Sequence, residues 1–103
     1  MPDAYLVRYH PDSVGDAAQL DPPLARQVRK AIEGRLARAP SLYGRHLRSA
    51  PPGIYRIHIR HLRVVYQVDE KGKSILIIAI AERRDDEVYD LAMHRLRRLG
   101  WTA

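Results

Sequence analysis

The sequence contains no cysteine, so disulfides, thiolate nucleophiles and thiolate metal sites are all excluded by chemistry. No stretch approaches the ~18 uninterrupted apolar residues of a membrane span, and the opening residues MPDAYLVRYH lack a basic segment followed by an apolar block. A cytoplasmic protein without a membrane partner is expected. His10, His46, His61 and His94 are scattered without the i, i+4 spacing of a metal site, so each reads as a surface residue and no metal or other cofactor is expected. Ser13, Ser41, Ser49 and Ser74 lack a surrounding Gly-x-Ser-x-Gly pattern, and phosphate-loop and dinucleotide fingerprints are absent, which removes support for serine hydrolase and nucleotide-loop chemistry. Acidic residues are in deficit as well. With 12 Asp+Glu against 18 Lys+Arg, the formal net charge is +6, and arginine, whose planar fork pairs with phosphate and stacks on bases, supplies most of the cations. A polyanionic partner follows, with nucleic acid ahead of an acidic protein.

What is present suits one globular domain over 1–103: 103 residues, 46% hydrophobic and 29% charged, with no low-complexity tract. Ala4 to Tyr9 reads as a first strand with Tyr5, Val7 and Tyr9 on one side, and Ser13 to Leu20 as a short helix capped by Asp12 or Ser13. From Pro23, the spacing of Leu24, Val28, Ile32 and Leu36 predicts an amphipathic helix that stops before Pro40. Residues 40 to 53 carry Pro, Gly and Ser and read as a loop over the surface. Three strands follow at hairpin separations: Ile54 to Ile59, Leu62 to Asp69 and Ser74 to Glu82. The last, SILIIAIAE, is apolar on both faces and so is central and covered on both sides. Asp86 to Leu99 carries Val88, Leu91, Ala92, Leu96 and Leu99 at helical spacing, with Gly100 as the stop. The expected class is α+β: an N-terminal strand, one or two helices, a three-stranded antiparallel meander joining a small sheet, and a C-terminal helix.

The period of two along Ile54 to Arg60 puts Ile54, Arg56, His58 and Arg60 opposite Tyr55, Ile57 and Ile59. Arg63 joins this basic ladder from the next strand, and Arg83 and Arg84 follow at the end of the third. Few carboxylates lie nearby in sequence, and clustered cations are most simply explained by phosphate between them. Tyr89 lies in the first turn of the last helix, six residues beyond Arg83. Tyr5, Tyr9 and Tyr66 read as core aromatics with a hydrogen-bonded hydroxyl.

The ordered set His46-Leu47-Arg48, Gly53-Ile54-Tyr55-Arg56-Ile57-His58, Leu62-Arg63-Val64-Val65-Tyr66-Gln67-Val68, Ala79-Ile80-Ala81-Glu82-Arg83-Arg84 and Glu87-Val88-Tyr89 resembles the RelE-like toxins of the RelE/ParE superfamily over nearly the whole chain. The resemblance implies a toxin of a type II toxin–antitoxin system, a metal-independent endoribonuclease that cuts mRNA in the ribosomal A site. It also implies a cognate antitoxin, hence a hetero-oligomer, and the ribosome with its mRNA as partners. The positions matching the family's catalytic site are Arg56, His58, Arg63, Arg83 and Tyr89, with Arg60, Arg84 and Arg48 as RNA-binding positions. The chain departs from the family at Arg56 and His58, where lysines are expected, and the turn before Arg63 is shorter. The alternative within the same superfamily is a ParE-like, non-enzymatic inhibitor of DNA gyrase; the pairing of Arg83 with Tyr89 favours the nuclease. His58 is the candidate general base, because a histidine pKa near ~6.5 leaves a neutral imidazole to accept the 2′-proton, and flanking cations disfavour the imidazolium.

Overall fold

The computed structural model describes residues 4–100; the first three and last three residues of the expected 1–103 domain lie outside the described residues. The elements are β1 (Leu6–Tyr9), α1 (Pro11–Ala18), α2 (Pro22–Lys30) running into a π-helical stretch (Ala31–Leu36), α3 (Pro40–Tyr43), β2 (Arg45–His46), β3 (Ile54–Ile59), β4 (Leu62–Asp69), β5 (Ser74–Ala81) and α4 (Asp85–Arg98). One five-stranded sheet is ordered β1-β5-β4-β3-β2. The meander β3-β4-β5 is antiparallel, as its short connections require, and β1 adds to β5 in parallel. The α+β class holds, with helices on both faces of the sheet.

Alternation along the strands separates two cores. Ile57, Ile59, Leu62, Val64, Tyr66, Ile75, Ile77 and Ile80 pack with Val28, Ile32 and Leu36 beneath α2, and Tyr5, Val7 and Tyr9 lean on the same cluster. Ile54, Val65, Ile78 and Ala79 pack with Val88, Ala92, Met93 and Leu96 of α4. The expectation that SILIIAIAE is central and covered on both sides is met. The register steps from Val65↔Ala79 to Tyr66↔Ile77, a bulge that leaves Ile78 opposite no residue of β4. Among the described residues no helix is long and apolar enough to cross a membrane.

Several expectations need correcting. The helix expected to run from Pro23 until just before Pro40 widens at Ala31: Ala37 N donates to Ile32 O, five residues back, at 2.9 Å. Across that wider turn Ala31, Ile32, Leu36 and Ala37 are all buried, the first three in the core cluster against the sheet. The segment 40–53 is not a simple surface loop. It forms a helical turn and the edge strand β2, and it buries Leu47 and Ala50 under α4. Leu99, expected on the buried stripe of α4, is exposed, because the helix ends at Arg98 and Gly100 takes φ 84°.

His10, read as a surface residue, is 4% exposed. Its Nδ1 accepts from Asp12 N at 3.0 Å, capping α1, which therefore starts at Pro11 rather than Ser13. With Nδ1 an acceptor, Nε2 carries the proton and donates to Arg95 O at 3.1 Å. Beside it, Asp16 accepts from Arg95 Nη1 at 2.7 Å, Arg95 Nη2 at 3.0 Å and Ile80 N at 2.9 Å. This polar knot fixes α1 and β5 to α4.

Tyr66 is fully buried and its hydroxyl donates to Pro40 O at 2.6 Å, holding α3 against the sheet. Burial, then the neighbouring Tyr55, pushes the Tyr66 phenol well above its ordinary pKa, so it stays a donor. Gly44 passes directly over that hydroxyl, where a Cβ would lie 1.8 Å from Tyr66 Oη and 3.0 Å from Arg56 O. Gly44→Ala is expected to destabilise the chain by about 3 kcal/mol, through overpacking and loss of the buried bond. A urea midpoint equal to wild type would contradict this placement.

Candidate active site

Strand pairing brings the candidate residues together. His58 lies opposite Arg63, and Arg63 opposite Ala81, so one row crosses three strands. The adjacent row is Arg45↔Arg56↔Val65↔Ala79. Paired residues share a face, and the face carrying Arg56, His58 and Arg63 is the one whose Ile54 and Val65 pack beneath α4. The sheet surface thus has an apolar part under the helix and a basic part beside it. His58 is exposed, while Arg56 and Arg63 are half-buried.

Arg63 reaches past the end of β5, where its Nη1 donates to the main-chain oxygen of Arg83. The guanidinium thereby ties the strand pair to the segment that launches α4, and so fixes where Arg83, Arg84 and Tyr89 begin. At the start of that helix, Arg84 N donates to the Glu87 carboxylate at 3.4 Å, and the Arg84 guanidinium lies 3.6 Å from Glu87 and 4.0 Å from Asp86. Tyr89 is half-buried and lines a groove of about 490 Å³ with Arg48, Ser49, Asp86 and Asp90. Arg48 and Tyr89 are therefore neighbours although 41 positions apart in the chain.

Two sequence expectations change here. Arg60 does not continue the ladder: the turn gives it φ 56°, and its Nη1 points to Gln27 Oε1 of α2 at 3.5 Å. Alternation ends where the strand ends, so the cation beside His58 from outside its own strand is Arg63. The basic face is also opposed at its rim, since Asp86, Glu87 and Asp90 lie close to Arg84, Arg48 and Tyr89. Carboxylates in the first turns of a helix are stabilised by its dipole, which accounts for their position.

A second groove, of about 260 Å³, is lined by Arg35, Tyr43, Arg45, Arg56, Ile57 and His58. Sequence reasoning missed Arg35, Tyr43 and Arg45. A strand of two residues has no alternation to read, and Arg35 arrives from the π-helical stretch. Among the described residues, no three His, Asp or Glu side chains are placed to hold a metal ion. The chemistry available to the cluster is charge stabilisation by fixed guanidinium groups, proton transfer at one imidazole and stacking on tyrosine.

Residues 7–87 match the model of a family described as the ParE toxin of the type II toxin–antitoxin system, parDE. The chain is 28% identical over 95 residues to a RelE-like toxin protein of Escherichia coli, a match covering 90% of this chain and 98% of that protein. Its fold is similar to that of a mutant of the Escherichia coli toxin RelE in the free state, with TM-score 0.74 and 24% identity over 90% of this chain and 98% of the other. It is also similar to a chain of the toxin–antitoxin complex RelBE2 from Mycobacterium tuberculosis, with TM-score 0.71 and 25% identity over 78% of this chain and 99% of that one.

Proposed function

The chain belongs to the ParE toxin family, within the RelE/ParE superfamily of type II toxin–antitoxin toxins, and from that premise we propose that it is a ribosome-dependent endoribonuclease cutting mRNA in the A site. The observation carrying this reading is the row His58–Arg63, with Arg56 beside it and Arg63 bonded to the main chain of Arg83. The 2′-hydroxyl of the message attacks the adjacent phosphorus, the bond to the 5′-oxygen breaks as that oxygen takes a proton from water, and the products are a 2′,3′-cyclic phosphate and a 5′-hydroxyl. His58 takes the 2′-proton, and Arg56, Arg63 and Arg83 stabilise the phosphorane oxygens as preorganised charge. Arginine's pKa above about 12 suits it to that task and not to proton abstraction. Tyr89 stacks on a splayed base, and Arg48 and Arg84 hold phosphates along the helix rim. Arg60, turned toward α2, has no part in the chemical step.

The base role has its own test. In single-turnover cleavage on saturating ribosomes, His58→Gln should lower the chemical rate by about 10²–10⁴-fold and abolish the fall in rate on the acid side that protonation of a base produces. An unchanged rate and acid limb would move proton transfer to the ribosome.

Inside the cell the toxin is held by a cognate antitoxin as a cytoplasmic hetero-oligomer, the partner contributing an acidic or amphipathic segment to the basic face. Similar folds are found in solved toxin–antitoxin complexes. The second reading, a gyrase inhibitor, is favoured by the family model, which is that of ParE. Incubation of the purified chain with gyrase and DNA, alongside a cell-free translation reaction, separates the two. Trapped gyrase–DNA complexes with intact message would establish the second reading; cut message with unaffected gyrase establishes the first.

A further inference from the structure

Leu42 and Tyr43 are 77% and 46% exposed, on a helical turn whose first residue is bonded to the sheet beneath it. The Tyr66 hydroxyl bonds Pro40 O from below, Gly44 packs so closely over that hydroxyl that no side chain fits there, and Tyr55 stacks on Tyr66 at 5.9 Å between ring centroids. A rigid support under an exposed aromatic side chain is what a binding platform requires, since the ordering entropy is met in the free protein. Tyr43 shares its groove with Arg35 and Arg45, both exposed, and with Arg56 and His58. Among the described residues no carboxylate forms an ion pair with Arg35 or Arg45, in contrast to Arg84 at the helix rim.

We infer that this groove is a subsite for the message nucleotide next to the scissile position, with its base stacked on Tyr43 and its phosphate held by Arg35 and Arg45. The inference rests on the RNA-cleaving reading above. Arg56 and His58 line the groove and also belong to the proposed catalytic row, so a strand whose scissile phosphate sits on that row extends into the groove within one nucleotide. The groove is small and its wall strongly basic, which fits one nucleotide better than a protein helix about 10–12 Å across. An aromatic face flanked by arginines is the usual chemistry for holding a single-stranded nucleotide without reading its sequence.

The test uses the full chain on programmed ribosomes, with single-turnover cleavage measured across toxin concentrations. Tyr43→Ala should raise the half-saturating concentration at least about fivefold, the low end of base–aromatic stacking, with little change in the maximal rate. Tyr43→Phe should restore it. Arg45→Gln should flatten the salt dependence of the half-saturating concentration by about 0.7 in slope, the loss of one single-strand phosphate contact. With an abasic nucleotide at the flanking message position, the Tyr43→Ala penalty should vanish. Thermal midpoints equal to wild type confirm that each variant is folded.

If the wild type cuts message and Tyr43→Ala superimposes on it, the subsite is wrong and the catalytic reading stands. A penalty that persists with the abasic message means that Tyr43 stacks on ribosomal RNA, which also overturns the subsite. Loss of affinity for the antitoxin with cleavage unchanged would make the surface a protein contact. If the wild type cuts nothing, the catalytic reading fails and the subsite fails with it.

Discussion

Asp16→Ala is expected to remove about 3–5 kcal/mol of stability, the largest effect of any single substitution outside the strand core. The carboxylate accepts three hydrogen bonds, two from Arg95 and one from Ile80 N. The Asp16 and Arg95 side chains are 18% and 11% exposed. Removing the carboxylate leaves a nearly buried guanidinium with Ile78 O at 2.9 Å and the more distant Asp12 at 3.7 Å. A nearly buried charge left with only a distant carboxylate, more than the lost pair itself, sets the size of the effect. Chemical denaturation of wild type and variant measures it. A loss below about 1 kcal/mol would mean that Arg95 finds water or another partner and that the knot does not hold α1 to α4.

Arg63→Gln is expected to lower the maximal single-turnover rate by about 10²–10³-fold, with the fold retained. Two roles coincide in this side chain: it faces His58 across the strand pair, and it bonds the Arg83 main chain. Loss of one preorganised charge at a phosphoryl centre costs about that much, and release of the Arg83 segment adds misplacement of Arg83 and Tyr89. Arg63→Lys separates the two. Lysine keeps the charge but lacks the rigid fork of donors, so it should recover only part of the rate. Full recovery with lysine would show that charge alone matters and that the bond to Arg83 is incidental.

The sheet was legible because its signals are local. Alternation in Ile54–Ile59 and Leu62–Asp69 and the two-sided apolar run at Ser74–Ala81 carry the strand positions and both cores. Arg56, His58 and Arg63 were placed on one face by the same periodicity, and pairing confirms their neighbourhood. Periodicity fails where an element ends, so alternation alone puts Arg60 on the ladder although the turn sends it to α2. Burial of His10 depends on a carbonyl 85 residues away, and no local pattern encodes such a contact. The carboxylates opposing the basic rim belong to α4 and reach Arg48 only through the fold. The π-helical stretch keeps the four-residue apolar spacing of an ordinary helix, and its wider turn shows only in the Ala37 N to Ile32 O hydrogen bond and the burial of Ala37.

The central claim is that the row His58–Arg63, with Arg56, cleaves message by 2′-hydroxyl attack. The most direct measurement is end-group analysis of a message translated in a cell-free extract with wild type or Arg63→Gln. Primer extension locates the new ends, and treatment with polynucleotide kinase with and without its phosphatase activity reports their chemistry. The account predicts ends within A-site codons bearing a 2′,3′-cyclic phosphate upstream and a 5′-hydroxyl downstream, at wild-type levels only with the wild-type chain. Intact message would contradict it, as would 5′-phosphate ends or equal cleavage by Arg63→Gln.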